Sequence, residues 1–383
     1  MLRQYLNNER SRGYVIQVIL LLALAGLVLF FVVNTIRNLE IVGLATGFGF
    51  LGDTASFDIN QRIIDYSSTS TYGRAIIVGG LNTILVAILG IITATILGFT
   101  CGVLRLSSNF LVRSTIASYV EFTRNVPVLL QIIFWWVVLL TLPKVMESIS
   151  LGEFIFLNNR GIRLPSPIFG DGSLYILIAI VLSLVAAFYF IRWSRKDFEK
   201  TGRQRPVYTI ALGIAVLIPT IVYLNLGSPI SFNVPERGRF NLIGGFNVTP
   251  ELFALWIALS TYTAAFISEI VRAGILSVSK GQIEAAKSLG LPKNLITRKI
   301  IFPQALRVII PPLTSQYLNL TKNSSLAVAI GYQDIVSVGD TVLNQSGHAL
   351  EVVAIFMIFY LTLSLLTSLF MNWYNARIAL VER

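Results

Sequence analysis

The sequence predicts an all-α polytopic membrane protein with about eight transmembrane helices. Of its 383 residues, 55% are hydrophobic and only 13% are charged, and the mean hydropathy is +0.73. Because a soluble domain carries about 25% charged residues, this composition indicates a chain that crosses the bilayer several times. Cys101 and His348 are the single cysteine and histidine, which argues against an internal disulfide and against a histidine-based metal site or proton relay.

Eight apolar runs are long enough to cross the roughly 30 Å hydrocarbon layer. The third contains Pro127 in an unusually polar stretch, and the seventh is broken by polar residues. The turn-rich stretches at 147–172 and 226–249 are predicted to be loops. The runs cover residues 14–36, 75–104, 109–146, 174–191, 207–224, 250–276, 303–331 and 350–374.

The distribution of basic residues predicts the orientation of these spans. Eight spans place both termini on one side of the membrane. The termini and the loops of that side hold 19 lysine and arginine residues, against 8 in the opposite loops. Basic loops stay in the cytoplasm, so both termini are expected there. The formal charge of +11 is then explained by contact with anionic membrane lipid, and no nucleic acid partner is expected.

A polar and basic segment at 278–303 separates the sixth and seventh spans. Gln282–Ser288 contains strong helix formers, and Gly290, with a proline two residues later, is a helix-stop signal. Asn294 is expected to cap a second short helix that ends before Pro303. Two short helices joined by a tight turn could transmit force from a partner protein into the spans. An ordinary solvated connector would show the same pattern.

This segment resembles the EAA signature of permease subunits in bacterial ABC importers, at Glu284, Ala285, Ala286, Gly290, Ile300 and Pro303. The phrase GQIEAAKSLG, together with FPQALRVIIPP at 302–312, resembles the polar amino-acid uptake family in particular. SEIVRAGI at 268–275 and NSSLAVAIG at 323–331 resemble the same family. In that family the loop is a coupling helix seated in a groove of a separate ATP-binding subunit; residues 279–303 are here called the coupling segment. The residues that the resemblance implies for coupling to the ATPase are Gly281, Glu284, Ala285, Ala286, Gly290 and Pro303.

The resemblance covers about 75–145 and 250–377, which implies a five-helix permease core plus three extra helices. The long form resembles the larger permease of the general L-amino-acid, or glutamate/glutamine/aspartate/asparagine, transporters. The expected divisions are an extra N-terminal span and periplasmic segment at 1–73, the first part of the core at 74–146, periplasmic loops with two inserted spans at 147–249, and the second part of the core at 250–383.

The same resemblance implies the partners and the location of the chain. The expected partners are a second, homologous permease in a heterodimer, a dimer of ATP-binding subunits and a periplasmic amino-acid-binding protein. The expected location is the bacterial inner membrane. The sequence contains no G-x-x-x-x-G-K-[ST] loop. ATP and Mg are therefore expected on the partner ATPase, and this chain is expected to be a transport subunit without enzymatic activity.

Polar side chains that share one helical face of the seventh span are candidates for a substrate path. Polar groups inside a membrane need partners, so such a face indicates a cavity or a bundle interior; hydrogen bonds between helices are the alternative. Amides donate and accept, which suits a zwitterionic amino acid, and Lys322 could attract a carboxylate or extend to the interface. No acidic residue lies between Arg307 and Tyr332, which favours neutral and acidic substrates. The face comprises Gln316, Asn319, Asn323 and Ser324.

A second polar group in the membrane consists of Glu121, Arg124 and Gln131, beside the proline of the third span. An arginine at that depth indicates function, although an intrahelical Glu121–Arg124 pair would merely neutralise two charges. Glu269 and Arg272 repeat this spacing near the end of the sixth span, where packing or support of a gate is expected.

Two other classes of protein compete with an ATP-driven importer. A secondary transporter driven by an ion gradient often shows inverted repeats and intramembrane acids, and neither is prominent in this sequence. A membrane-embedded enzyme would need a catalytic constellation, for which a single histidine gives little scope.

Overall fold

The computed structural model describes residues 9–42, 47–202 and 205–378. Six helices in these ranges are long and apolar enough to cross a membrane, and two bent helix pairs raise the number to eight if each pair is one span. The predicted all-α polytopic fold is thereby confirmed. The six helices are α1 (Glu9–Val42), α2 (Tyr72–Leu104), α5 (Ser173–Thr201), α6 (Val207–Asn225), α7 (Pro250–Leu276) and α12 (Ala349–Ile378).

The chain forms two compact units. One unit consists of Met1–Val137 and Glu251–Arg383, and the other of Val138–Pro250. In the first unit, α2 and α7 are the spans with the largest buried share, whereas α1 stays exposed along its hydrophobic length. Small residues on α2 allow this burial, because Gly98 and Gly102 lie directly against Ile267 and Val271 of α7.

The predicted third span is a bent pair, α3 (Phe110–Asn125) and α4 (Val128–Leu140), with an angle of 107° between them. The bend follows from Pro127, whose ring disfavours helical geometry at the residue before it. Val126 is accordingly extended, with φ −100° and ψ 128°. Gln131 stabilises the bend, because its Nε2 donates hydrogen bonds to the carbonyl oxygens of Thr123 and Val126, both at 2.9 Å.

The coupling segment forms a compact hairpin of helices. The predicted first helix is confirmed, and Gly290 ends it in a left-handed conformation with φ +72°. The predicted second helix is wrong in both bounds: Asn294 does not cap it, and the chain stays helical through Pro303. Pro303 lies in the first turn of the next helix, where its missing N–H needs no partner. The elements are α8 (Lys280–Ser288), α9 (Lys293–Ile296), a π-helical turn (Thr297–Ile301) and α10 (Phe302–Asn323).

The seventh span continues from α10 into a 3-10 helix (Ser324–Ile330) and breaks at Gly331, where φ is +74°. A further helix that the sequence did not indicate, α11 (Ile335–Ser346), follows at an angle of 53°. Asn82 of α2 anchors the break, because its Nδ2 donates to the carbonyl oxygens of Gln61 and Gln333 at 2.7 and 2.9 Å.

The second unit contains short strands within the two stretches that the sequence predicted to be loops. Four strands form an antiparallel sheet in the order β1-β2-β3-β8, and the others pair as β4–β5 and β6–β7. Val145, Phe156 and Leu242 form a small core beside the sheet. Strands of two to four residues are too short to show a reliable alternation of polar and apolar residues. They are β1 (Ile149–Leu151), β2 (Ile155–Asn158), β3 (Gly161–Leu164), β4 (Ser166–Phe169), β5 (Ile230–Asn233), β6 (Glu236–Arg237), β7 (Leu242–Ile243) and β8 (Phe246–Val248).

Candidate functional site

Helix α8 packs against the rest of its chain through one narrow face. Ala286 is its buried residue, and Ile296 is the buried residue of α9, which packs against it. Gln304 of α10 donates through Nε2 to Oε1 of Gln282 at 2.6 Å. These contacts hold α8 against the start of the seventh span.

The remaining faces of α8 are exposed. Gly281, Glu284, Ala285 and Gly290 all lie on this open surface, whereas Pro303 is half-buried at the start of α10. Among the residues that the structure describes, the Glu284 carboxylate makes no ion pair. Leu289, the residue that caps the C-terminal end of α8, is 79% exposed.

The polar face of α10 is only partly open. Gln316 and Asn323 are half-buried, and Asn319 and Lys322 are exposed. Ser324 is completely buried, and its hydroxyl donates to the carbonyl of Thr321 at 2.7 Å. Ser324 opens the 3-10 helix at the edge of this face, so its side chain points into the packed interior.

The second polar group does not form the ion pair that was the alternative to a functional role. Within the described ranges, Glu121 and Arg124 are both exposed and make no salt bridge with each other. The Arg124 guanidinium instead lies 5.3 Å from the ring centre of Phe266 on α7. A cation over an aromatic face is stabilised electrostatically. No hydrogen bond or ion pair in the described part of the chain joins this group to the polar face of α10.

A cavity of about 420 Å³ lies at the bend between α3 and α4. Its lining is mostly apolar and includes Phe122, Phe134 and Trp135, and of the predicted path residues only Gln131 contributes to it. Tyr119 closes one wall by donating its hydroxyl to the carbonyl of Thr261 at 2.7 Å. Gln131 therefore both stabilises the bend and lines the cavity beside it.

Glu269 contacts two arginines rather than the one that sequence reasoning gave it. Arg272 on the same helix places Nη2 at 2.6 Å from Oε1, and Arg105, which follows α2, donates to Oε2 through Nη1. Arg105 was missed because it is 164 residues away in the sequence. These three residues are here called the Glu269 cluster.

Metal binding has no candidate group in the described part of the chain. Three or more histidine, cysteine, aspartate or glutamate residues do not come together there. His348 stacks on Phe50, with ring centres 4.4 Å apart, and its Nδ1 lies 2.9 Å from the carbonyl oxygen of Ser346. The histidine is therefore part of the local packing.

Comparison with known proteins identifies the family. The profile described as "Binding-protein-dependent transport system inner membrane component" matches residues 201–380. The general L-amino acid transport system permease protein AapQ of Rhizobium johnstonii is 51% identical over 100% of this chain and 96% of its own. The putative amino-acid ABC transporter permease protein YhdX of Escherichia coli is 48% identical, over 98% and 96%. The glutamate/glutamine/aspartate/asparagine transport system permease protein BztB of Rhodobacter capsulatus is 41% identical, also over 98% and 96%.

These full-length similarities confirm the resemblance carried by the EAA segment and by the long form of the chain. They favour an ABC permease over an ion-driven transporter or a membrane-embedded enzyme. The roles of individual residues stay predictions. The chain belongs to the inner-membrane components of binding-protein-dependent transport systems, as a multi-span permease subunit of an ABC importer.

Proposed function

We propose that this chain forms one half of the translocation path of an importer for polar L-amino acids, beside a second, homologous permease. The names of its full-length relatives support this substrate class. The observation that carries the proposal is helix α8, which presents Glu284 and Ala285 on a surface that the described part of the chain leaves uncovered.

The energy for transport comes from a dimer of partner ATP-binding subunits, which bind ATP and Mg. Each ATPase subunit receives a coupling helix in a groove, where Glu284, Ala285 and Gly290 lie against it. The hydrogen bond between Gln282 and Gln304 supports this role, because it links the docking helix to the span with the polar face. Closure of the ATPase dimer then changes the access of the path from one side of the membrane to the other.

Substrate reaches the path from a periplasmic amino-acid-binding protein on the side opposite to α8, and both termini lie in the cytoplasm. The half-buried amides of Gln316 and Asn323, with the exposed Asn319 and Lys322, offer donors and acceptors for an amino acid that passes along α10. No acidic residue lies between Arg307 and Tyr332 in the sequence, which supports neutral and acidic substrates. Glu121 and Arg124 form a second part of the path, and lipid covers the outward faces.

Reconstitution tests the proposal as a whole. The complete complex of both permeases and the ATPase dimer, in liposomes, is expected to import radiolabelled glutamate and glutamine only when the binding protein and ATP are both present. Uptake by this chain alone, driven by a sodium or proton gradient without ATP, would disprove it. An unlabelled amino-acid panel added in competition defines the substrate class in the same assay.

Substitution of the half-buried amides tests the path. Gln316→Ala and Asn323→Ala are each expected to lower the maximal uptake rate about fivefold, the factor that corresponds to one hydrogen bond worth about 1 kcal/mol. Thr220→Ala is the control, since Thr220 is an exposed polar residue of α6, a helix that does not carry the polar face, and it should transport normally. Wild-type rates in both amide variants would remove this face from the path.

A further inference from the structure

The Glu269 cluster joins the end of α2 to α7, the helix that leads into the coupling segment. Arg105 immediately follows α2, Glu269 and Arg272 lie on α7, and only Ser277–Ser279 separate the end of α7 from α8. The side chains are mostly shielded, with exposed fractions of 11% for Arg105, 28% for Glu269 and 33% for Arg272. A shielded carboxylate between two guanidiniums is held much more firmly than a surface ion pair.

The helices around this cluster are in close contact. A Cβ atom added to Gly102 of α2 would lie 2.6 Å from Cβ of Val271 on α7, and one added to Gly274 would lie 2.4 Å from Cγ1 of Ile309 on α10. Val278, between α7 and α8, is also buried. Steric contact of this kind limits how closely the helices approach, whereas the bond between Glu269 and Arg105 holds α2 and α7 together.

We propose that Glu269 is a positioning residue that transmits movement of the coupling segment to α2 through its bond to Arg105. Arg272 lies on the same helix as Glu269, three residues further on, and so cannot link two helices. It keeps the carboxylate charged and oriented, while Arg105 carries the connection. From α2 the movement reaches α3 through the five residues that end at Asn109, whose Oδ1 accepts from the N–H of Leu111 at 2.9 Å.

This inference rests on the proposed function, because its readout is amino acid imported per ATP hydrolysed by the complete complex in liposomes. Glu269→Gln and Arg105→Gln are each expected to lower this ratio at least about fivefold, the lower end of coupling between linked sites, while ATP hydrolysis continues. The double variant should be no worse than either single one, since both remove the same bond. Arg272→Gln is expected to have a smaller effect.

Two controls separate transmission from folding. Arg113→Gln removes an exposed arginine of α3 and should leave the ratio unchanged. Exchange of the partners, Arg105→Glu with Glu269→Arg in an Arg272→Gln background, restores the bond between α2 and α7 and should return the ratio to within about twofold of Arg272→Gln alone.

The inference is wrong if Glu269→Gln and Arg105→Gln complexes, purified at the wild-type subunit ratio, import the wild-type amount per ATP. It is also wrong if the exchanged pair assembles and does not recover coupling. If the wild-type complex itself imports no amino acid, the proposed function fails instead, so the two failures are distinguishable.

Discussion

Replacement of Ala285 by arginine is expected to abolish ATP-driven uptake while this chain still folds. Ala285 is an exposed residue of α8, so the larger side chain meets nothing within its own chain. In the proposed groove of the ATPase it has no room, because protein interfaces are packed as closely as interiors and extra volume forces the two surfaces apart. The expected result is loss of the ATPase subunits from the purified complex together with loss of uptake.

The measurement is co-purification of the ATPase with the permease pair, followed by uptake in liposomes. Ser68→Arg is the matched control, since it adds the same side chain at an exposed position that the predicted orientation places across the membrane from α8. This control should retain both the ATPase and transport. An Ala285→Arg complex that keeps its ATPase and imports at the wild-type rate would show that α8 is not the docking helix.

Ala286 gives a useful contrast within the same signature. It is the neighbouring residue but is only 3% exposed, so its small size serves the packing of α8 inside this chain. The two adjacent alanines of the signature therefore have different surroundings. Ala286 packs within the coupling segment, whereas Ala285 lies on the exposed surface that, in the proposed docking, faces the ATPase.

Local signals in the sequence predicted the parts of the fold that local chemistry determines. Gly290 ended α8 as expected, because a left-handed residue after a helix favours glycine. Pro127 interrupted the third span, although its polar surroundings did not reveal how sharp the bend is. Asn294 was predicted to cap the second helix because an asparagine side chain can do so. The helix begins before it, at Lys293, directly after Pro292.

Contacts between residues that are far apart in the sequence could not be predicted from it. Glu269 has a second partner, Arg105, at the end of another span. Nothing in the spacing of these two residues indicates that they meet. Asn82 likewise reads as an isolated amide in an apolar helix, yet it is fully buried and anchors the break of the seventh span. The polar face of α10 was visible as a pattern, but the burial of Ser324 depends on the 3-10 turn that begins there.

The close approach of α2 and α7 leads to the second large expected effect. A Cβ atom on Gly98 would lie 2.5 Å from Cβ of Ile267 and 3.1 Å from the carbonyl oxygen of Ala264. These are rigid atoms of a neighbouring helix, not the end of a flexible side chain. Gly98→Val is therefore expected to force the two helices apart and to destabilise the protein by about 3 kcal/mol, at the upper end of overpacking effects.

Thermal unfolding of the purified chain in detergent measures this effect, together with the yield of assembled complex. Gly213→Val is the matched control, because Gly213 is also inside a helix but has no atom within 4 Å of an added Cβ; its unfolding temperature should change little. Truncation of the opposing side chain, as Gly98→Val with Ile267→Ala, should recover a large part of the loss.

A Gly98→Val variant as stable as the wild type would contradict the packing of α2 on α7. If the double variant recovers stability, the loss is steric and arises at this one contact. Transport by the Gly98→Val, Ile267→Ala variant then tests a separate point. Since the same pair of helices carries the Glu269 cluster, restored stability with restored import per ATP would show that the spacing of α2 and α7, rather than Gly98 itself, is what coupling requires.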